Sequence, residues 1–556
     1  MAAPAATSAP APTPAPIRSA AALATLPAID LNGLATRLFE VPLAAANFVK
    51  LASDGRRLYL LEADSTPERR TSLRTLAIDN TAPTAELFAA DVNDFELTPD
   101  GKRLLLLRRA AQGPQPGDIQ LLDAAARAPA EPPVLARATV RWADAMLNTD
   151  PVAEWRQIFD DAWRLQRDHF YDPGMHGVDW AAVRRKYAPL LPRVGDRVEL
   201  NELLAQMVAE LGALHSQVFS PDLRRGADDI VPAGLGGRFV KVADGFLVEH
   251  IYRSDPELPS ERAPLAQAGV AVGETLTHVN GRSLLAVRDL SEVLRGQAGQ
   301  QMLLTLKGGA ADKPAERRVV LLPVSAQREN GLRTGDWEQG NLQRVAAASE
   351  GRIGYLRLRV MAAADIATFA REFYAQLQRD AIVIDMRGNR GGNIDSWVIA
   401  SLLRRAWAYW IPNAPAGTPP SSNMQQAFSG HLAVLIDEDT YSDGETFAEG
   451  VRRLGLGVLV GKRTAGAGVW LSDSNRLVDG GLMRAAESGQ FAADGRWLIE
   501  GVGVLPDVEV DNPPRATFNG ADAQLDKAVE LLRRRLTEQP VPQPQAPPWP
   551  RPYAKP

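Results

Sequence analysis

The chain has 556 residues, 45% apolar and 23% charged, with 62 Lys and Arg against 67 Asp and Glu for a net charge of −5; this is a globular composition, long enough for about three to five domains. Such a balance offers no basic surface for phosphates, which excludes a nucleic-acid partner, and the absence of cysteine excludes disulfides, thiolate zinc sites, iron–sulfur clusters and a cysteine nucleophile. No run of eighteen apolar residues occurs, so no membrane span is expected.

In chain order, residues 1–33 open as an Ala/Pro-rich leader (AAPAATSAPAPTPAP at 2–16), expected to be disordered. It lacks the basic start and apolar stretch of a signal peptide. Such a leader fits a periplasmic or secreted protein, with a cytoplasmic one as the alternative. Residues 34–140 read as short strands. Two stretches repeat there, around Asp54-Gly55 and Asp100-Gly101, 46 residues apart, each an Asp-Gly turn running into an apolar strand. The period fits β-propeller blades of about four strands, hence a propeller-like remnant, with a small antiparallel sheet as the alternative. Residues 150–228 read as a helical domain, with Trp155, Ile158, Phe159, Ala162 and Trp163 forming one apolar stripe and Leu200 to Leu211 another.

Residues 229–326 open with Gly234-Leu235-Gly236-Gly237 and continue through short strands, a Val279-Asn280-Gly281 turn and a helix near 287–295. This region resembles a PDZ domain, whose Gly-Leu-Gly-Phe-type loop offers N–H groups to a peptide carboxylate beside a sheet edge. Gly237 stands where phenylalanine is usual in that loop. In residues 327–538 strands and helices alternate. Ile382-Val-Ile-Asp385 and Leu432-Ala-Val-Leu-Ile436 are buried apolar runs, each followed by a glycine- or serine-bearing turn and a helix, the pattern of an α/β domain with functional turns at its strand ends. Residues 539–556 carry eight prolines and read as a polyproline-like or disordered tail.

Four stretches could carry chemistry. Ser442, in Thr440-Tyr-Ser-Asp-Gly-Glu445, stands at a strand-to-helix turn rich in free N–H groups that can stabilise an oxyanion. The same Ser442–Glu445 spacing is also a capping box worth about 0.5–2 kcal/mol, so the turn alone reads either way. In Asp385-Met-Arg-Gly-Asn-Arg-Gly-Gly-Asn393 the glycines allow close backbone approach; the spacing fits neither phosphate-binding fingerprint, leaving an oxyanion donor or a tight turn. His215, one of six histidines, follows a helix, and Glu500 is a glycine-flanked carboxylate before a Pro-Asp turn. Tyr171 to Trp180 reads as a fixed turn with Trp163 and Trp180 as core aromatics. His169 and His176 lack partners at metal spacing, so neither a metal site nor a cofactor is expected.

Taken in order, the His215 helical region, the PDZ-like insert, the Gly388–Gly392 loop, the Ser442 turn and the Glu500 loop resemble the tricorn-type serine peptidases, relatives of the carboxyl-terminal processing peptidases. The resemblance runs from about Trp155 to Leu532 and is most specific in Ala162–Trp180 and Tyr441–Phe447. It implies a multidomain α/β protein: a small helical domain, a PDZ-like domain and a crotonase-like α/β catalytic domain, preceded by the propeller-like remnant. It also implies Ser442 as nucleophile, His215 as its base, and Glu500 supporting the histidine's other nitrogen. The N–H of Asp443 and that of Gly391 or Gly392 would form the oxyanion hole. Peptide or unfolded-protein substrates and homo-oligomeric assembly follow from the same resemblance. Two departures stand out. The family usually has a serine before the histidine to relay the glutamate, and here that position is Leu214; the relay must be direct, pass through Ser216 or water, or be absent. In Thr464-Ala-Gly-Ala467-Gly468, Ala467 holds the place of the sister branch's catalytic lysine, which excludes a Ser–Lys dyad unless Lys462 substitutes. The expected function is a serine endopeptidase or oligopeptidase. The alternatives are a dormant PDZ-type peptide-binding protein on the same fold and, less strongly, a crotonase-like binder of apolar ligands.

Overall fold

The computed structural model describes residues 31–548 apart from 39, 42, 67–68, 80–83, 110–116, 143–145, 147, 221–229, 309–314, 414–417, 419 and 543. The disorder expected of leader residues 1–30 and of the last eight tail residues lies outside the described residues. Two compact units are present, Met1–Asn148 and Thr149–Pro556.

The first unit holds two antiparallel four-stranded sheets in sequence order: β1 (Asn47–Ser53), β2 (Arg57–Ala63), β3 (Thr71–Ala77) and β4 (Glu86–Ala89), then β5 (Val92–Leu97), β6 (Arg103–Arg108), β7 (Ile119–Asp123) and β8 (Thr139–Val140). The repeated Asp-Gly pairs make the β1–β2 and β5–β6 hairpins. Asp54 Oδ1 accepts from the Arg56 and Arg57 N–H groups at 2.7 and 2.6 Å, and Asp100 Oδ1 accepts from the Lys102 N–H at 3.1 Å. One core, including Tyr59, Leu73, Phe95 and Leu106, is shared by both sheets.

The second unit begins with α1 (Pro151–His169), α2 (Trp180–Tyr187) and α3 (Arg197–Ala209). Asp150 caps α1 and Pro151 occupies its first position, where no N–H is needed. Helix α1 buries Ile158 and Phe159 in one cluster with Leu200, Leu204 and Met207 of α3, each large apolar side chain contributing about 1.5–3 kcal/mol. Each indole N–H of Trp163 and Trp180 donates to the other's backbone carbonyl, at 2.9 and 3.0 Å, so the pair is a structural clasp. After the short strand β9 (Gln217–Phe219) comes an antiparallel sheet of β10 (Gly237–Val242), β11 (Gly245–Ile251), β12 (Thr275–Val279), β13 (Met302–Gly308) and β14 (Ala315–Leu321), in that order, with β10 at the edge. The helix expected near 287–295 is a single turn, Ser291–Leu294.

Helix α4 (Ala326–Ala348) leads from that sheet into an alternating series: β15 (Ile353–Arg357), α5 (Ala363–Tyr374), β16 (Ala381–Asp385), α6 (Asp395–Leu402), β17 (His431–Ile436), α7 (Asp443–Arg453), β18 (Val458–Gly461), β19 (Leu482–Arg484), β20 (Val508–Glu509) and α8 (Ala523–Glu538). Strands β15, β16, β17, β18 and β20 form an all-parallel sheet in that order. Its central strands are apolar except for Asp385 and His431 at their ends, because both faces are covered. Along β16, Ala381 and Val383 join the core with Val345 of α4 and Leu525 of α8, while Ile382 and Ile384 join Phe369 of α5 and Phe447 of α7. The loop leaving β16 is pinned by the buried Arg387 guanidinium, 2.7 Å from Asp385 and 2.8 Å from Asp522, the N-cap of α8.

Candidate active site

Because β16 and β17 are parallel neighbours, the loops at their carboxyl ends lie side by side. The first carries Gly391 and Gly392, and the second carries Ser442. Ser442 has φ 57° and ψ −121°, a conformation that costs a side-chain-bearing residue about 1–3 kcal/mol and survives only when its surroundings fix it. Two contacts fix it here. The Ser442–Glu445 capping box forms, with the Ser442 N–H donating to Glu445 at 2.9 Å. Gly391, itself at φ +79°, lies so close that a Cβ there would stand 2.5 Å from the Ser442 Cβ. The fully buried Glu445 carboxylate also accepts from the Thr464 hydroxyl at 2.5 Å and from the Gly466 and Ala467 N–H groups at 2.7 and 2.8 Å. It therefore ties the serine turn to the loop after β18. Sequence spacing marked Glu445 only as a helix cap, because nothing local announces partners some twenty residues on.

His215 reaches the serine across 227 residues: its Nε2 is 3.0 Å from the Ser442 Oγ. The antiparallel pairing of β9 with β19 holds the segment carrying it, the Tyr441 hydroxyl donates to the Leu214 carbonyl at 3.2 Å, and the Tyr441 ring packs 4.8 Å from the imidazole. The histidine is 4% exposed, and burial, helped by the nearby Arg484, brings its pKa down to about 4. The imidazole Nδ1 and the Ser216 Oγ are buried and have no hydrogen-bond partner among the described residues. The Glu500 carboxylate accepts from the Gly468 N–H at 2.7 Å and the Leu214 N–H at 3.3 Å. Burial pushes its pKa up, against the pull of those two amides. Glu500 thus meets the backbone beside His215 and neither its ring nor Ser216. Lys462 pairs with Glu509 at 3.4 Å, while Ala467 is buried with its amide on Glu445.

The two glycines differ in what their amides do. The Gly391 N–H donates to the Asn389 Oδ1 at 2.8 Å, whereas the N–H groups of Gly392 and Asp443 have no partner among the described residues. At Gly392 a Cβ would fall 1.7 Å from the Met361 carbonyl oxygen. The Asp443 carboxylate, which sequence reading passed over in favour of its amide, accepts from the Ile394 and Asp395 N–H groups at 2.7 and 3.1 Å at the start of α6. Burial, then the negative charge of Asp395, pushes its pKa up to about 7. A cleft of about 830 Å³ opens over the serine, lined by His215, Met361, Arg390, Gly392, Ser442 and Trp470 among others.

The Gly234–Gly237 loop lies apart from this cleft, in the β10–β14 layer. Gly234 exchanges two backbone hydrogen bonds with Val324, Leu235 is buried in that layer's core, and the Gly236 N–H donates to the Glu329 carboxylate at 2.8 Å. Where sequence reading expected an incoming peptide carboxylate, a carboxylate of the chain itself is bound.

Residues 352–510 match peptidase family S41, residues 151–209 the tricorn protease C1 domain and residues 234–325 the tricorn protease PDZ domain. The tricorn protease homolog 1 of Streptomyces coelicolor is 31% identical over 529 residues, covering 92% of this chain and 48% of that protein. The putative tricorn-like protease C-terminal subunit of Sulfurisphaera tokodaii is 27% identical over 521 residues, covering 92% of this chain and 58% of its own length. The crystal structure of the tricorn protease shares the fold with a TM-score of 0.78 at 22% identity, over 88% of this chain and 47% of that one. The chain spans about half the length of the curated relatives it matches. With C1, PDZ and S41 segments in that order along it, this chain belongs to the tricorn-type peptidases of family S41.

Proposed function

We propose that this protein is a serine peptidase acting through an acyl-enzyme on Ser442. The observation that carries the reading is the 3.0 Å contact between His215 Nε2 and Ser442 Oγ beside the amides of Gly392 and Asp443, which have no partner among the described residues. In this mechanism the Ser442 oxygen attacks a peptide carbonyl carbon while its proton passes to His215 Nε2. The carbonyl oxygen becomes an oxyanion that accepts from the N–H groups of Gly392 and Asp443; Gly392 is preferred to Gly391 because the latter's amide is spent on Asn389. Collapse of the intermediate breaks the C–N bond, and His215 returns its proton to the leaving amine. A water molecule, deprotonated by the same nitrogen, then releases the acyl group. The low pKa of the buried imidazole keeps it neutral, as a base must be. Glu500 is a positioning residue that holds the Leu214–His215 backbone through the Leu214 amide. Peptide or unfolded-protein substrates fit the open cleft. The first unit reads as two propeller-like blades, supported by its paired four-stranded sheets.

The test is intact mass after incubation with a fluorophosphonate probe. Wild type gains one adduct, and Ser442→Ala and His215→Ala gain none, with peptide turnover in each variant reduced by about 10⁶-fold. A folded wild type that takes no adduct would overturn the reading.

A further inference from the structure

The PDZ-like layer presents the loop Gly234–Gly237 at the start of its edge strand β10, the place where a chain of this kind would accept an extended peptide. That position is filled from within. Helix α4 begins at Ala326 with Ser325 as its N-cap, and Glu329 projects from its first turn. The Glu329 Oε2 lies 2.8 Å from the Gly236 N–H, and the Gly237 amide also acts on this carboxylate. The fit is close enough that a Cβ on Gly234 would stand 2.2–2.6 Å from the Glu329 side chain. Backbone hydrogen bonds in both directions between Gly234 and Val324, at 2.8 and 2.9 Å, fix the root of the helix against the loop. Further along α4, Asp336 accepts from the Arg253 side chain at 2.8 Å and lies 2.9 Å from the His250 ring, so the helix stays docked on the domain without Glu329.

A carboxylate held by successive backbone amides of a glycine loop is the chemistry by which such loops hold a peptide's C-terminus. We propose that Glu329 is an internal stand-in for a peptide C-terminal carboxylate, so that the loop is a carboxylate site closed by the chain's own helix. Free peptide C-termini compete with this side chain and gain the site when it is withdrawn. The inference rests on the PDZ reading of residues 234–325 and does not depend on the peptidase chemistry.

The experiment is equilibrium binding by fluorescence anisotropy, in a Ser442→Ala background so that turnover plays no part. The probe is a fluorescein-labelled hexapeptide ending in an aliphatic residue, as the free acid and as the C-terminal amide. Removing an internal competitor raises apparent affinity by the inverse of the open fraction, here about tenfold or more for Glu329→Ala with the free acid. The amide should gain nothing. Glu329→Gln, which keeps the side chain's shape, separates loss of charge from loss of packing, and a thermal melt checks that each variant folds. The proposal is overturned if Glu329→Ala binds the acid no more tightly than its parent, or if acid and amide gain equally. Either result would leave the fluorophosphonate test of Ser442 untouched.

Discussion

Two glycine-rich loops in this protein offer backbone N–H groups to an oxygen anion, and they end in opposite states. At the Ser442 turn the amides of Gly392 and Asp443 have no partner among the described residues, and Gly392 and Ser442 line an open cleft. At the start of β10 the Gly236 amide is taken by Glu329, a residue 93 positions away. Each has a half-buried carboxylate nearby, Glu500 beside His215 and Glu329 on the loop, each accepting backbone N–H groups and each pushed up in pKa by desolvation. A glycine loop supplies the donors, and the neighbouring side chains decide whether they serve a ligand or the fold.

That contrast can be broken at several points. Gly392→Ala should have the largest effect: the new Cβ would meet the Met361 carbonyl oxygen, displace the amide and cost about 10²–10³ in kcat, read by steady-state kinetics. Gly236→Ala should act on stability instead. Its Cβ would lie 2.5 Å from that of Ala263 at a φ of +83°, and overpacking of this kind costs about 1–3 kcal/mol, read as a lower Tm. If Gly392→Ala lowered only the Tm, the oxyanion assignment would fail.

Glu500→Gln sharpens the comparison on the carboxylate side. Since Glu500 reaches His215 only through the Leu214 amide, the expected loss in kcat is about tenfold, far short of the ~10⁴ that follows when a directly bonded partner is neutralised. A loss on the larger scale would mean that the carboxylate contacts the ring during turnover. Leu214→Ser puts a hydroxyl on the residue whose amide Glu500 already holds and should raise kcat. The smallest expected effect is on pH dependence. A base must be neutral, so kcat/KM should fall as pH drops through about 4, well below the ordinary 6.5 of histidine. The sign carries over to stability: the buried neutral imidazole contributes fully above pH 6.5, and that contribution is lost as pH falls through about 4. An acid limb near 6.5 would mean that His215 is hydrated in the working enzyme.

Much of the architecture was legible before the structure. The Asp-Gly repeats mark the β1–β2 and β5–β6 hairpins because a turn needs a capping carboxylate and a glycine at positive φ, both local requirements. The runs at 382–385 and 432–436 mark strands of a covered parallel sheet, since only burial on both faces tolerates such continuous apolar sequence. Ser442 and His215 could be named as a pair from the order of motifs, but their contact could not be read, because it spans 227 residues. The structure left Glu500 off the imidazole and added the Glu445 and Asp443 carboxylates, whose partners lie in other loops.

The sequence by itself determined the order of the layers, the positions of the strand-end turns and the residue types that carry chemistry, all of which depend on near neighbours and on periodic burial. Only the tertiary structure placed the Gly391 amide on Asn389, showed that Glu500 meets the Leu214 amide and not the His215 ring, and placed Glu329 in the Gly234–Gly237 loop. Those outcomes turn on which donor meets which acceptor at about 3 Å, and such meetings are set by packing between segments that the sequence keeps far apart.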